Sequence, residues 1–238
     1  MHNASPRRWT RYSCLVKDSF FFCNNMRTIV YVDGFNFYYG LKRKKRLDER
    51  WGAYYWIDFC KLFQQFLAPE DTLRQVKYFT GPPLSLEKRI RQRALFKANN
   101  LINGEKFKVI KGKYIDKPVH CNNCHTDFTK PEEKRTDVNI AVNLIGDCAL
   151  NRVDKLILVS ADSDLVPPLE FIKTNYPDKK LRIFFPPTNY SNDLRDIADR
   201  GKVTQLERSW SCFHNAIMPY VVTKEDGTVS ALIPPEWH

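Results

Sequence analysis

Apolar runs and helical stripes alternate along this chain. Thr28 to Val32 (TIVYV) is apolar throughout, rich in β-branched and aromatic side chains, and closes on Asp33-Gly34. A run without polar alternation fits a strand buried on both faces, and Asp-Gly marks the turn that ends it. Phe35 to Lys45 then reads as a helix. Trp56 to Leu67 reads as a second, with Phe59, Leu62, Phe63 and Phe66 at helical spacing. Arg74 to Thr80 is a second strand bounded by Gly81-Pro82-Pro83, Leu84 to Asn103 a long basic helix, and Lys106 to Lys111 a third strand. The pattern breaks between Tyr114 and Lys130, which we read as an insertion.

Thr129-Lys-Pro-Glu132 has the form of a capping box with proline in the first turn. It predicts a helix from there to about Asn151, with Val138, Ala141, Val142, Ile145 and Cys148 facing inward. Lys155 to Ser160 is a fourth strand, Pro167 to Tyr176 a helix, and Leu181 to Phe185 a fifth strand. A helix from Asn192 to about Arg200 and a short strand near Val203 close the series. Alternating strands and helices, with the strands apolar, predict a three-layer α/β/α fold around a mainly parallel sheet.

The expected organisation is a disordered extension over 1–26, or an upstream start whose natural beginning is Met26, then a main domain over 27–206 and a tail over 207–238 packed on it. No run approaches the roughly 18 apolar residues of a membrane span. Seven scattered cysteines without a secretory signal suggest reduced thiols and a cytoplasmic protein.

The net charge of +11 is unevenly spread. Between Thr72 and Lys113 eleven lysines and arginines stand against only Glu87 and Glu105, and KRKKR at 42–46 adds a second block. Clustered cations suit a polyanion, because each neutralised phosphate releases counterions. They also suit a solvated helix face. Lys88, Arg89, Arg91 and Arg93 are the candidate substrate contacts.

Against this basic background the acidic residues gather at strand ends. Asp33 ends the first strand, and Asp162 and Asp164 follow the fourth in VSADSDLVPP. In an open parallel sheet ligands sit beyond the carboxyl ends of the strands. Asp137, early in the helix leading to the fourth strand, can reach the same edge. Four carboxylates brought together repel unless a cation lies among them, and hard oxygen donors suit Mg²⁺ or Mn²⁺. Each aspartate alone also fits a turn or a helix cap. Asp162, nearest the strand end, is expected to lead, with Asp164 acting through water or as the cap.

Three stretches, Asp33-Gly-Phe-Asn36, Glu133-Lys-Arg-Thr-Asp137-Val-Asn-Ile-Ala141 and Ser160-Ala-Asp-Ser-Asp164-Leu-Val-Pro167, resemble in order and spacing the signatures of NYN domains, a PIN-like, ribonuclease-related family. The likeness spans about residues 27–200, and the ending PPEW resembles members of the group. It implies a PIN-like fold and metal-dependent cleavage of RNA. The matching positions are Asp33, Asp137, Asp162 and Asp164, with Asn36 as polar partner. Thr136 and Ser160 stand beside these carboxylates. Ser191 and Asn192 resemble a pocket-facing polar turn and equally suit a helix cap.

His120-Cys121-Asn-Asn-Cys124-His125 supplies half of a tetrahedral zinc site. His120, His125, Cys212 with His214, or a second subunit are the candidates to complete it, and reduced free thiols are the alternative. Similar family members carry a cysteine pair at this place. Two other functions stay open at this point: a non-cleaving RNA-binding or regulatory module, and an enzyme acting on a small phosphorylated metabolite. The chain has no G-x-G-x-x-G fingerprint and no P-loop.

Overall fold

The computed structural model describes residues 25–120, 122–123, 126–199, 202–224, 226–227 and 229–237. In chain order the elements are β1 (Met26–Asp33), α1 (Gly34–Leu47), α2 (Phe59–Gln64), β2 (Asp71–Thr80), α3 (Leu86–Asn103), β3 (Phe107–Lys111), β4 (Lys113–His120), β5 (Asp127–Lys134) and α4 (Thr136–Ala149). They continue with β6 (Lys155–Val159), α5 (Val166–Asn175), β7 (Lys180–Phe185), α6 (Asn192–Ile197), β8 (Val203–Gln205), α7 (Trp210–Asn215), β9 (Val221–Thr223) and β10 (Val229–Leu232). Short 3₁₀ turns at Glu49–Tyr55, Ser163–Leu165 and Pro235–Trp237 matter below.

The unalternating run of β1 places it mid-sheet. Its Val30 and Val32 pack with α1, α2, α3 and α7, while Ile29 and Tyr31 pack with α4, α5 and α6. All neighbours in the six-stranded order β3-β2-β1-β6-β7-β8 are parallel. The three-layer α/β/α expectation therefore holds. From β1 the chain grows outward to β2 and β3, then crosses back to β6 and grows the other way. The direction of growth reverses between β1 and β6, where such sheets open a crevice at their carboxyl ends.

The helix predicted over Trp56–Leu67 is shorter: Asp58 caps its start through Lys61 N at 3.0 Å, and it ends at Gln64. Phe59, Leu62 and Phe63 are buried as the stripe requires. The larger departure concerns Tyr114–Lys130. The stretch read as an insertion is a regular element: β4 and β5 form an antiparallel ribbon, with Ile115 opposite Glu132 and Pro118 opposite Thr129.

The supposed capping box thus lies inside a strand, because cross-strand pairing outcompetes one turn of helix with two capping bonds. The helix begins only after Arg135, whose φ of 81° turns the chain sharply. Its inward stripe moves accordingly to Ile140, Leu144 and Cys148, leaving Val138 and Val142 exposed. The ribbon leaves and re-enters at one edge of the sheet, so it delivers the first turn of α4 to the carboxyl ends of the strands.

The residues after β8 complete a core layer. Phe213 of α7 packs against Trp51, Tyr54 and Phe37 at centroid distances of 5.2, 5.4 and 6.2 Å. Trp56 Nε1 donates to Pro219 O at 2.9 Å, and Met218 N donates to Trp56 O at 3.1 Å. Among the described residues no helix is long and apolar enough to cross a membrane.

At the amino edge, Arg27 donates to Asp154 through Nε and Nη2, both at 2.8 Å, tying β1 to the turn before β6. These bonds hold the Asp154 carboxyl at about 2. A depressed folded pKa stabilises above the unfolded value, roughly 3.9, and that stability fades as pH falls toward the folded value. Wild type should therefore lose stability relative to Asp154→Asn between about pH 4 and 2. Urea melts across that range test this, and parallel pH profiles would refute it.

Candidate active site at the carboxyl edge

Asp33 is the anchor of the site. It ends β1, is buried, and caps α1 by accepting from Phe35 N and Asn36 N, both at 3.1 Å. Its second oxygen accepts from Asn36 Nδ2 at 2.6 Å and from Ser160 Oγ at 2.8 Å. Burial raises its pKa, these hydrogen bonds oppose the rise, and the charge of Asp162 adds to it.

Ser160 sits where β6 ends, next to β1 through the pairing of Val159 with Val32. It also accepts from Asp162 N at 3.1 Å. Asp162, not Asp164, is the cap of the following turn, accepting from Asp164 N at 3.0 Å. The expected division of labour is reversed on that point, because Asp162 is the residue with extended backbone at the start of the turn. Asp164 is exposed.

Asp137 stands in the first turn of α4. Its carboxyl is pushed up to about 6, first by partial loss of hydration and then by the charges of Asp162, Asp33, Glu133 and Asp164. Negative charge from three separated segments is therefore concentrated here. Glu133, at the end of β5, accepts from Thr136 Oγ1. The sequence reading missed it as a site acid because it took Glu133 for helix. Its place four residues before Asp137 was the available signal.

The second omission is Asn189. Its Nδ2 donates to Asn36 O at 3.2 Å and Oδ1 at 3.1 Å, so the Asn36 amide can turn only its nitrogen to Asp33. Ser191, by contrast, caps α6 through Leu194 N at 3.3 Å, and Asn192 is the exposed first residue of that helix. Nothing in the sequence distinguished Asn189 within its polar turn.

The donor set, hard carboxylate oxygens gathered from separate segments, suits a divalent cation. Among the described residues no three or more His, Cys, Asp or Glu side chains are already drawn together as a grip. The hydrogen bonding of Asp33 supplies a reason. Its four acceptor positions are filled by protein donors, of which the Ser160 hydroxyl is the one that could rotate away to leave an oxygen for a cation.

Gly34 makes the corner possible. A Cβ there would lie 2.6 Å from Phe79 O and 2.5 Å from the Tyr78 ring. Gly34→Ala should therefore cost about 1–3 kcal/mol and displace Asp33 from β2. An unchanged melting temperature would contradict this.

The basic helix divides its cations. Lys88 and Arg91 of α3 line a cavity against α1, whereas Arg93 and Lys97 face a separate hollow with Lys111. Arg89 donates to Pro83 O at 3.2 Å, and Arg91 pairs with Glu236 at 2.6 Å. Lys77, counted in the basic stretch, is buried against Asp147. Cys121, Cys124 and His125 lie outside the described residues, and so do residues 1–24. His120 Nδ1 lies 2.8 Å from Asp127 Oδ1, and Cys212 and His214 belong to α7.

The model of the NYN domain family matches residues 27–205. The chain is 27% identical over 197 residues to 6-hydroxy-3-succinoylpyridine 3-monooxygenase HspA of Pseudomonas putida (strain DSM 28022 / S16), covering 68% of this chain and 60% of that protein. It thus spans about 60% of the length of that curated relative. Among solved structures, a protein of unknown function, VPA0982 from Vibrio parahaemolyticus RIMD 2210633, aligns with a TM-score of 0.49 at 22% identity, covering 76% of this chain and 93% of that one.

Proposed function

The chain belongs to the NYN domain family, within the PIN-like nuclease group, and on that premise we propose that it is a divalent-metal-dependent ribonuclease. What supports the reading is that Asp33, Asp137 and Asp162, from three separate segments, lie close enough together for the charge of Asp162 to act on the other two carboxyls. Asp33, Asp137 and Asp162 would hold Mg²⁺ or Mn²⁺, with Asp164 and Glu133 at the margin. Such an ion supplies an activated water and neutralises phosphoryl oxygens.

The chain's own residues do the positioning. Asn189 fixes Asn36, and Asn36 with Ser160 fixes the Asp33 carboxylate. Lys88 and Arg91 attract the phosphate backbone along α3, and their affinity for it falls with salt. Incubating the purified protein with labelled single-stranded and duplex RNA and DNA, with Mn²⁺, Mg²⁺ or EDTA, tests the proposal. Cleavage of RNA that EDTA abolishes is expected. Salt-sensitive RNA binding with no cleavage under any metal would favour a non-cleaving module instead.

A second reading, an enzyme acting on a small heteroaromatic or phosphorylated molecule, draws on the aromatic cavity beside the site and on the name of the Pseudomonas relative. Its reaction would not depend on the full basic track, so neutralising Lys88, Arg89, Arg91 and Arg93 separates the two.

A further inference from the structure

Between α1, α3 and the turn Pro235–Trp237 lies a cavity of about 180 Å³, walled mainly by aromatic rings. Pockets for drug-sized ligands run to roughly 300–1,000 Å³, so this space suits one ring system. It opens on the same edge as the carboxylates. Gly34 and Phe35, which line it, directly follow Asp33, and Phe35 N is bonded to that carboxylate at 3.1 Å. Thr80 and Gly81, at the end of β2, form the opposite wall.

Its chemistry is specific. Phe35 and Tyr39 stack on each other with an interplanar angle of 11°, and Tyr39 is 45% exposed at the mouth. Deeper in, Tyr38 lies 5.8 Å from Tyr55, which meets Trp237 at 5.6 Å. Desolvation leads the upward shift of both tyrosines, and hydrogen bonding contributes to neither. Both residues line the cavity, and their hydroxyls have no hydrogen-bond partner among the described residues. Lys88 stands on the α3 side with Arg91, whose charge is paired with Glu236, and Lys45 Nζ lies 5.6 Å from the centroid of the Tyr55 ring.

We propose that this cavity receives one nucleobase, stacked on aromatic rings and hydrogen-bonded by the Tyr38 and Tyr55 hydroxyls, so that the attached phosphate is presented to the carboxylate cluster. The inference rests on the nuclease reading for the identity of the strand. Flat π-faces, paired polar handles and a cationic rim match a nucleotide better than an aliphatic ligand. Stacking of one base on an aromatic side chain is worth about 1–3 kcal/mol, or roughly 5- to 150-fold in affinity.

The test uses the full chain in EDTA, so that binding is read without cleavage. The probes are a single-stranded oligoribonucleotide carrying one 2-aminopurine, the same oligonucleotide with an abasic ribose there, and 2-aminopurine riboside 5′-monophosphate. The base-bearing strand should bind at least 5-fold more tightly than the abasic strand, with quenched fluorescence. Tyr39→Ala, at an exposed position, should erase most of that difference, and Tyr38→Phe should reduce it. Equal binding of both strands, or a difference that survives Tyr39→Ala, overturns the proposal, as does absence of binding by every probe. A free monophosphate that binds as tightly as the strand supports the base site and assigns it to free nucleotides. Base-dependent binding by a protein that cleaves nothing keeps this site while the nuclease reading fails.

Discussion

Asp147→Ala is expected to destabilise the protein by about 3–5 kcal/mol, because it leaves the Lys77 ammonium buried without its counter-charge. Lys77 Nζ donates to Asp147 Oδ2 at 2.5 Å and to Asn143 Oδ1 at 3.0 Å, and it lies 5.7 Å from the centroid of the Tyr31 ring. Tyr31 OH donates to the same Asp147 oxygen at 2.7 Å. The group joins β1, β2 and α4 beneath the site. In a domain of this size the loss corresponds to a fall of roughly 6–20 °C in Tm.

The triple variant Tyr31→Phe, Lys77→Met, Asp147→Leu removes every member of the pair and its phenol partner. It should recover most of the stability, since breaking a buried pair on one side costs far more than replacing it whole. Thermal melts compare the two proteins. A triple variant no more stable than Asp147→Ala would mean that packing, not the uncompensated charge, dominates. The network also steadies α4, so Asp147→Ala should reduce any activity that depends on Asp137.

The parts of the fold that could be read from residues alone are those where pattern and burial coincide. Ile29–Val32 and Leu156–Val159 are unbroken apolar runs, and both lie in central parallel strands. Polar strands were not legible. β5 carries threonine, lysine, proline and two glutamates, and its strand state comes from pairing with β4 rather than from any periodicity. That one misreading displaced the start of α4 and its inward stripe, and it hid Glu133.

The site divides in the same way. Asp33 and Asp162 follow from strand ends and need only the parallel topology to meet. Asn189 depends on how the turn after β7 lies across α1, which no local signal encodes. Nor did the sequence indicate that Lys77 would be internal, because a buried lysine and a surface lysine look alike until their partners are placed.

Asp162→Asn is expected to lower RNA cleavage by about two to three orders of magnitude, the scale seen when a preorganised electrostatic contact is removed. It is a cleaner variant than Asp33→Asn. Asp33 receives four donors, so an amide nitrogen there would face Asn36 Nδ2 or Ser160 and disturb the fold as well as the charge. An asparagine at 162 keeps an oxygen for the Asp164 amide and removes only the negative charge.

The decisive measurement is the single-turnover rate of RNA cleavage in Mn²⁺ by wild type and Asp162→Asn, with thermal melts showing both folded. A wild-type rate abolished by EDTA and a variant at least 100-fold slower are the predicted results. Equal rates in the two proteins, or a wild-type rate that EDTA leaves unchanged, would contradict a metal-dependent nuclease site at this edge of the sheet.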